Sequence, residues 1–360
     1  MSEEKILEIL SQIQDPFLKN DLVSLGFVKS ISLNGNKLSL ELGSASDNDS
    51  NVKTDSAIRN AFKINSPETE ISGITFTKGI TTHINPKKTE IFPEVKNTIA
   101  ISSGKGGVGK STIAANLAAS FAQKGFKTGL IDADIYGPSI PLMFGINEKP
   151  KVREVNGKSK LLPIEKYGVK IMSIGFLVDV NSAVVWRGPM ASSALRQFIS
   201  DVIWGELDVL FFDMPPGTGD IQLTLSQTVP LTGAVIVTTP QEISLADARK
   251  GYHMFEKVNV PTLGIIENMS YYQLPDGERE YIFGKEGGRQ MALEFNTKLL
   301  GEIPINTQIR TGGDEGKPVV ISNPGLTESE ILSRISDELI NEINIVNANR
   351  KENSDLVIEI

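Results

Sequence analysis

The chain has 360 residues, 40% of them hydrophobic and 22% charged, with a formal net charge of −8. That length suits about two domains, and the acidic balance argues against a nucleic-acid partner, which needs clustered Lys and Arg to displace counterions. The chain has no cysteine and only two histidines, His83 and His253, so disulfides, thiolate nucleophiles, thiolate metal sites and a histidine-rich metal centre are excluded together. No apolar run approaches the length of a membrane span, and Met1–Glu4 does not read as a secretory leader. A cytoplasmic location without membrane attachment is expected.

In chain order, Ile6, Leu7, Ile9, Leu10 and Ile13 share one helical face that Asp15-Pro16 ends. Residues 28–33 and 37–42 alternate around Asn34-Gly35-Asn36, which predicts a hairpin. A polar loop over 44–51, a helix near 54–62 and a strand near 70–76 complete a small α+β domain, 1–82. Nothing in it carries evident chemistry, and a docking or regulatory module is the expectation. Residues 83–97, with Pro86, Lys87, Lys88 and Pro93, read as a linker.

From residue 98 the pattern changes to apolar strands alternating with helices. Strands are predicted at 98–102, 127–132, 169–174, 208–213, 233–238, 262–267 and 298–303. Several are continuous apolar runs, as in Val209-Leu210-Phe211-Phe212, which parallel strands buried on both faces require. The expected fold is α/β, a doubly wound, mostly parallel sheet over 98–348, with the ligand at the carboxyl ends of the strands and a tail at 349–360. A last helix near 329–347 places Ile331, Leu332, Ile335, Leu339 and Ile343 together. Its polar positions are largely acidic, which favours packing on the domain over lying on a membrane.

The stretch Gly104-Lys105-Gly106-Gly107-Val108-Gly109-Lys110-Ser111-Thr112 matches the phosphate-loop pattern G-x-x-x-x-G-K-[ST], between a predicted strand and a helical pattern. Its glycines let consecutive backbone N–H groups turn toward one anion, and the following helix adds its positive end. Lys110 would reach the β- and γ-phosphates, and Ser111 would offer its hydroxyl to Mg²⁺. Carboxylates stand at two further strand ends. Asp132 and Asp134, two apart, should aim to one side of an extended backbone. Asp213 precedes Met214-Pro215-Pro216-Gly217-Thr218-Gly219-Asp220, whose prolines force a loop. This pattern suits an aspartate near magnesium beside a phosphate-sensing switch.

Lys105, directly after the first glycine, resembles the second lysine of a deviant phosphate-loop class of dimerising ATPases that includes MinD, ParA and the Mrp/ApbC proteins. The chain is most similar to the Mrp/ApbC iron–sulfur cluster carriers. The resemblance rests on the phosphate loop, Asp132-Ala133-Asp134-Ile135-Tyr136-Gly137-Pro138-Ser139, Trp186-Arg187-Gly188-Pro189-Met190, the segment 213–220, Glu267-Asn268-Met269-Ser270, Ile282-Phe283-Gly284 and Leu300-Gly301-Glu302-Ile303-Pro304. The N-terminal segment, with Asp15-Pro16 and Leu22-Val23-Ser24-Leu25-Gly26, is similar to a small domain of cluster-assembly factors.

The resemblance implies a slow Mg-dependent ATPase acting in iron–sulfur cluster assembly or transfer, with ATP and Mg as cofactors, a homodimeric state, and cluster scaffold or acceptor proteins as partners. It implies that Lys105 crosses the dimer interface to the other subunit's nucleotide, Asp134 orients the attacking water, Asp213 holds the magnesium shell and Asn268 contacts adenine. Relatives also carry a C-x-x-C pair after the Glu-Asn-Met motif. Here the segment is Tyr271-Tyr272-Gln273-Leu274-Pro275-Asp276-Gly277-Glu278-Arg279-Glu280-Tyr281, with Leu274 near the first cysteine position. Iron–sulfur ligands are thus expected to be absent. The alternative reading is an ATP-controlled dimerisation switch that docks a protein partner without carrying a cluster.

Overall fold

The computed structural model describes residues 2–44, 48–155, 157–176, 195 and 199–354. The chain forms two compact units, one of residues 1–84 with 340–360 and the other of residues 85–339.

In the first unit, helix α1 (Glu3–Leu10) starts where Ser2 accepts a bond from the Lys5 N–H, 3.3 Å. Strands β1 (Val28–Asn34) and β2 (Lys37–Ser44) form the predicted hairpin, closed at Asn34 and Lys37 with Gly35 at φ 65°. Helix α2 (Asn48–Asn65) crosses over to β3 (Glu70–Lys78), which pairs parallel to β2. Leu38, Leu40 and Leu42 alternate inward and meet Ile6, Ile9, Leu10, Phe27, Ile58 and Phe62. Ala348, from the last helix of the chain, joins that core. The expected boundary at 348 therefore shifts, since residues from 340 onward group with this unit. Two asparagines explain the change: Asn344 accepts from the Thr81 N–H at 2.7 Å and donates to Gly79 O at 3.0 Å, and Asn347 donates to Thr81 O at 3.1 Å. Buried backbone groups of 79–81 are satisfied there.

The second unit opens with α3 (Pro86–Ile91) and β4 (Val95–Ser102), so residues 83–97 hold ordered elements where a linker was expected. Next come α4 (Lys110–Gln123), β5 (Thr128–Asp132), α5 (Ile140–Met143), the separate hairpin β6 (Val152–Val155) and β7 (Lys158–Leu161), β8 (Ile164–Lys166) and β9 (Val169–Ser173). After the undescribed residues follow β10 (Leu207–Asp213), α6 (Asp220–Thr228), β11 (Gly233–Thr238), α7 (Glu242–Lys257), β12 (Thr262–Gln273), β13 (Arg279–Glu280), α8 (Gly287–Glu294) and β14 (Leu299–Ile305). Helices α9 (Thr307–Asp314) and α10 (Val319–Ser322) follow, and α11 (Thr327–Ser354) belongs to this unit as far as Leu339.

The sheet order is β13-β12-β11-β4-β10-β5-β9-β8, with β14 on β12. All of its pairings are parallel except those of β13 and β8, which turn back as hairpins. Strands β4, β10 and β11 sit at the middle, and Phe211 meets Phe121 of α4 edge-on at 5.0 Å between centroids. Ile331, Leu332, Ile335 and Leu339 of α11 are buried, as the periodicity of that stretch predicts. Among the described residues no helix is long and apolar enough to cross a membrane.

Candidate functional site

The carboxyl ends of β4, β5 and β10 and the middle of β12 carry the polar residues singled out in the sequence. After β4 the chain turns through residues 103–109 into α4. Gly107 and Gly109 take φ 81° and 84°, conformations that disfavour side chains. Gly104 and Gly109 are also small because their surroundings are close: an added Cβ would stand 2.1 Å from the Asp247 backbone and 2.2 Å from Asn268 Nδ2 respectively. Asn268 in turn donates from Nδ2 to Val108 O at 2.8 Å, tying the middle of β12 to the loop. Gly106 has open space around it.

Lys110 is the first residue of α4 and is buried. Its ammonium lies 2.5 Å from Asp213 Oδ1, 3.6 Å from Asp134 Oδ2 and 3.2 Å from Ser111 Oγ. Burial pushes the Asp213 carboxyl upward, with Lys110 and Ser111 pulling the other way. Thr112 lines a cavity described below. Lys105 is half-buried, and its ammonium has no ion pair or hydrogen bond among the described residues.

Asp132 and Asp134 do not aim together. Asp132 accepts from the Asp134 N–H (3.2 Å), the Ile140 N–H (3.2 Å) and Ser173 Oγ (2.9 Å), so it pins the loop after β5, and the ion pairs of Lys110 among the described residues go to Asp134 and Asp213. Full burial, with Asp213 nearby, pushes its pKa up to about 8. The pattern of two along a strand fails because β5 ends at Asp132 and the chain turns.

Two buried carboxylate oxygens, Asp134 Oδ1 and Asp213 Oδ2, have no partner among the described residues. With Ser111 Oγ they make an all-oxygen set beside Lys110. Such a set fits Mg²⁺, which takes one or two carboxylates together with phosphate and water rather than a complete protein cage. Among the described residues no group of three or more His, Asp or Glu could hold a metal alone.

A cavity of about 520 Å³ opens beside the loop, bordered by Gly109, Thr112, Asn268, Phe283, Pro304 and Ile305. Its size and mostly apolar wall suit a nucleoside-sized ligand. Phe283 and Pro304 fall in stretches quoted for the family resemblance, yet no chemical signal in the sequence marked them as lining residues. Ser173, which holds Asp132, and Glu267, which accepts from Ser270 Oγ and from the Gly288 N–H, were likewise missed. Trp186, Arg187, Gly188, Pro189 and Met190 lie outside the described residues.

Beyond Asn268, β12 runs on to Gln273 and returns through β13 in a tight turn. Leu274 donates to Glu278 O at 2.9 Å, and the Glu278 N–H bonds Asp276 Oδ1 at 3.0 Å. The Arg279 guanidinium lies 4.1 Å from the Tyr271 ring centre and the Lys285 ammonium 5.0 Å from that of Tyr281. Burial raises the Tyr271 hydroxyl above its usual range, which disfavours the phenolate that could ligate iron. The residues of this hairpin do not fit an iron–sulfur cluster.

Residues 94–340 match the family model described as NUBPL iron-transfer P-loop NTPase. The chain belongs to this family. Residues 3–62 also match the model of an iron–sulfur cluster assembly protein, so both parts of the Mrp/ApbC resemblance hold. An iron–sulfur cluster carrier protein of Synechocystis is 40% identical over 96% of this chain and 99% of its own. The Arabidopsis thaliana iron–sulfur protein required for NADH dehydrogenase, mitochondrial, is 52% identical over 68% of this chain and 78% of its own. Among solved structures, a nucleotide-binding protein of Archaeoglobus fulgidus in complex with ADP is 41% identical, covering 64% of this chain and 91% of that one, TM-score 0.56. The Pyrococcus furiosus cell division ATPase MinD, 21% identical over 67% of this chain and 97% of that one with TM-score 0.50, shares the fold. A mostly parallel α/β sheet of the MinD type carrying a nucleotide loop is the architecture of this family member.

Proposed function

We propose that the chain is a slow Mg-dependent ATPase whose hydrolysis serves iron–sulfur cluster assembly or transfer, without thiolate ligands of its own. The observation that carries this reading is the placing of Lys110 against Asp213, Asp134 and Ser111 at the mouth of the phosphate loop. In the proposal, the backbone of residues 104–112 cradles the phosphates and Lys110 exchanges its carboxylate partner for the β- and γ-phosphates. Ser111 and Asp213 would hold Mg²⁺, which supplies charge neutralisation between those phosphates. Asp134, whose Oδ1 is unpartnered, would orient the attacking water. Asn268, at the cavity wall, would face adenine.

Lys105 would reach the nucleotide of a second copy, making the working state a homodimer. Its unpaired ammonium supports that role. The carrier relatives' printed role supports transfer of a cluster to another protein, for which a scaffold or acceptor protein would be the partner and the cytoplasm the place of work. The closed hairpin and the absence of cysteine favour a second reading, in which ATP controls dimerisation and docking of a protein partner and no cluster is carried. For the primary reading, Mg-ATP hydrolysis by the full chain should fall by about a thousandfold or more in Lys110→Ala, given the weight of a charge placed on the transferred phosphoryl group. Equal turnover in wild type and variant would refute it.

A further inference from the structure

The segment that follows Asp213 is strapped to the strand that feeds the phosphate loop. The Met214 N–H bonds Ile101 O at 3.0 Å, and the Gly217 N–H bonds Ser103 O at 3.0 Å. A third link comes from a side chain: Gln222, in the first turns of α6, donates from Nε2 to Ser102 Oγ, the last residue of β4. Gln222 and Ser102 are each about 1% exposed. The other amide atom, Gln222 Oε1, is buried without a partner among the described residues. A leucine would fill this position and bring no unsatisfied carbonyl, so packing alone does not account for an amide here.

We infer that Gln222 is a positioning residue, which latches the start of α6 to the base of the phosphate loop and so fixes the register of loop 214–219 against Asp213 and Lys110. The inference rests on the ATPase reading above. The two backbone links hold the ends of the path, at Met214 and Gly217, but neither restrains α6 itself. Gly217 takes φ 89° and Gly219 caps α6 without a side-chain bond, so the turn between them has little stiffness of its own. Gln222 supplies that stiffness from within the helix. Its contact lies behind the phosphate loop rather than in the cavity, which places its influence on the alignment of the reacting groups and leaves ground-state binding of the nucleotide to the loop and the cavity wall.

The test uses the full chain with Gln222→Leu, Ser102→Ala and the double variant. Each single change should lower kcat about tenfold and leave the ATP KM within about twofold, and the double should be no worse than either single, since both remove one shared bond. Hydrogen exchange at the Gly217 amide should quicken in Gln222→Leu while exchange in β4 and α4 stays as in wild type. Unchanged kcat, additive losses, or a rise in KM equal to the fall in kcat would overturn the inference. If wild type and Lys110→Ala turn over alike, the ATPase reading fails, and the exchange comparison then decides the latch alone: unaltered exchange at Gly217 refutes it.

Discussion

The phosphate loop after β4 and the hairpin after β12 stand at the ends of parallel strands of one sheet, two strands apart, and they relate differently to the family. In the loop several family features have a physical counterpart: glycines at positive φ, close approach to Asp247 and Asn268, and a buried lysine against carboxylates. In the hairpin the positions around Leu274 and Asp276 carry a hydrogen-bonded turn, stapled by cation–ring contacts. On the proposed function, the nucleotide engine and the cargo ligands are separable. An anion cradle is dictated by the geometry of backbone N–H groups and tolerates few replacements, whereas a hairpin needs only a turn and packed flanks. On that reading, thiolates can be absent from the second without disturbing the first.

If the engine is intact, its chemistry should respond sharply to a side chain that holds no structure. Asp134→Ala should cut Mg-ATP hydrolysis by about a hundredfold to a thousandfold and leave nucleotide binding in place, read by turnover alongside equilibrium binding of ATP. Asp134 makes one long ion pair and has one oxygen unpartnered, so the variant should keep its thermal stability. A parallel loss of binding and fold would merge Asp134 with the structural role found for Asp132. At the hairpin a far smaller response is expected. Arg279→Ala should destabilise the second unit by about 0.5–1 kcal/mol, the worth of an exposed cation–ring contact, and leave hydrolysis within about twofold. A large fall in turnover would mean that the hairpin takes part in the engine and the separation is false.

The sheet was legible because its strands are runs such as Val209–Phe212, which no exposed element carries, and the loop was legible because its glycines have no sterically acceptable substitutes at Gly104 and Gly109. What escaped did so for local reasons. The residues of β6 are all exposed, and α3 is mostly charged or polar after Pro86, so neither shows apolar periodicity. The role of Asp132 was misread because it turns on where the strand stops. The grouping of residues 340 onward depends on Asn344 and Asn347 reaching Gly79 and Thr81 across more than 260 positions, and no local pattern in the sequence encodes such a bond.

The central claim, a nucleotide engine in a chain without its own cluster ligands, is tested most directly by iron content. The full chain would be incubated anaerobically with ferrous iron and sulfide in the presence of Mg-ATP, desalted and assayed for iron per chain together with its visible spectrum. The account predicts no stoichiometric iron and no thiolate-to-iron charge-transfer absorbance. Stoichiometric iron retained with that absorbance would contradict it.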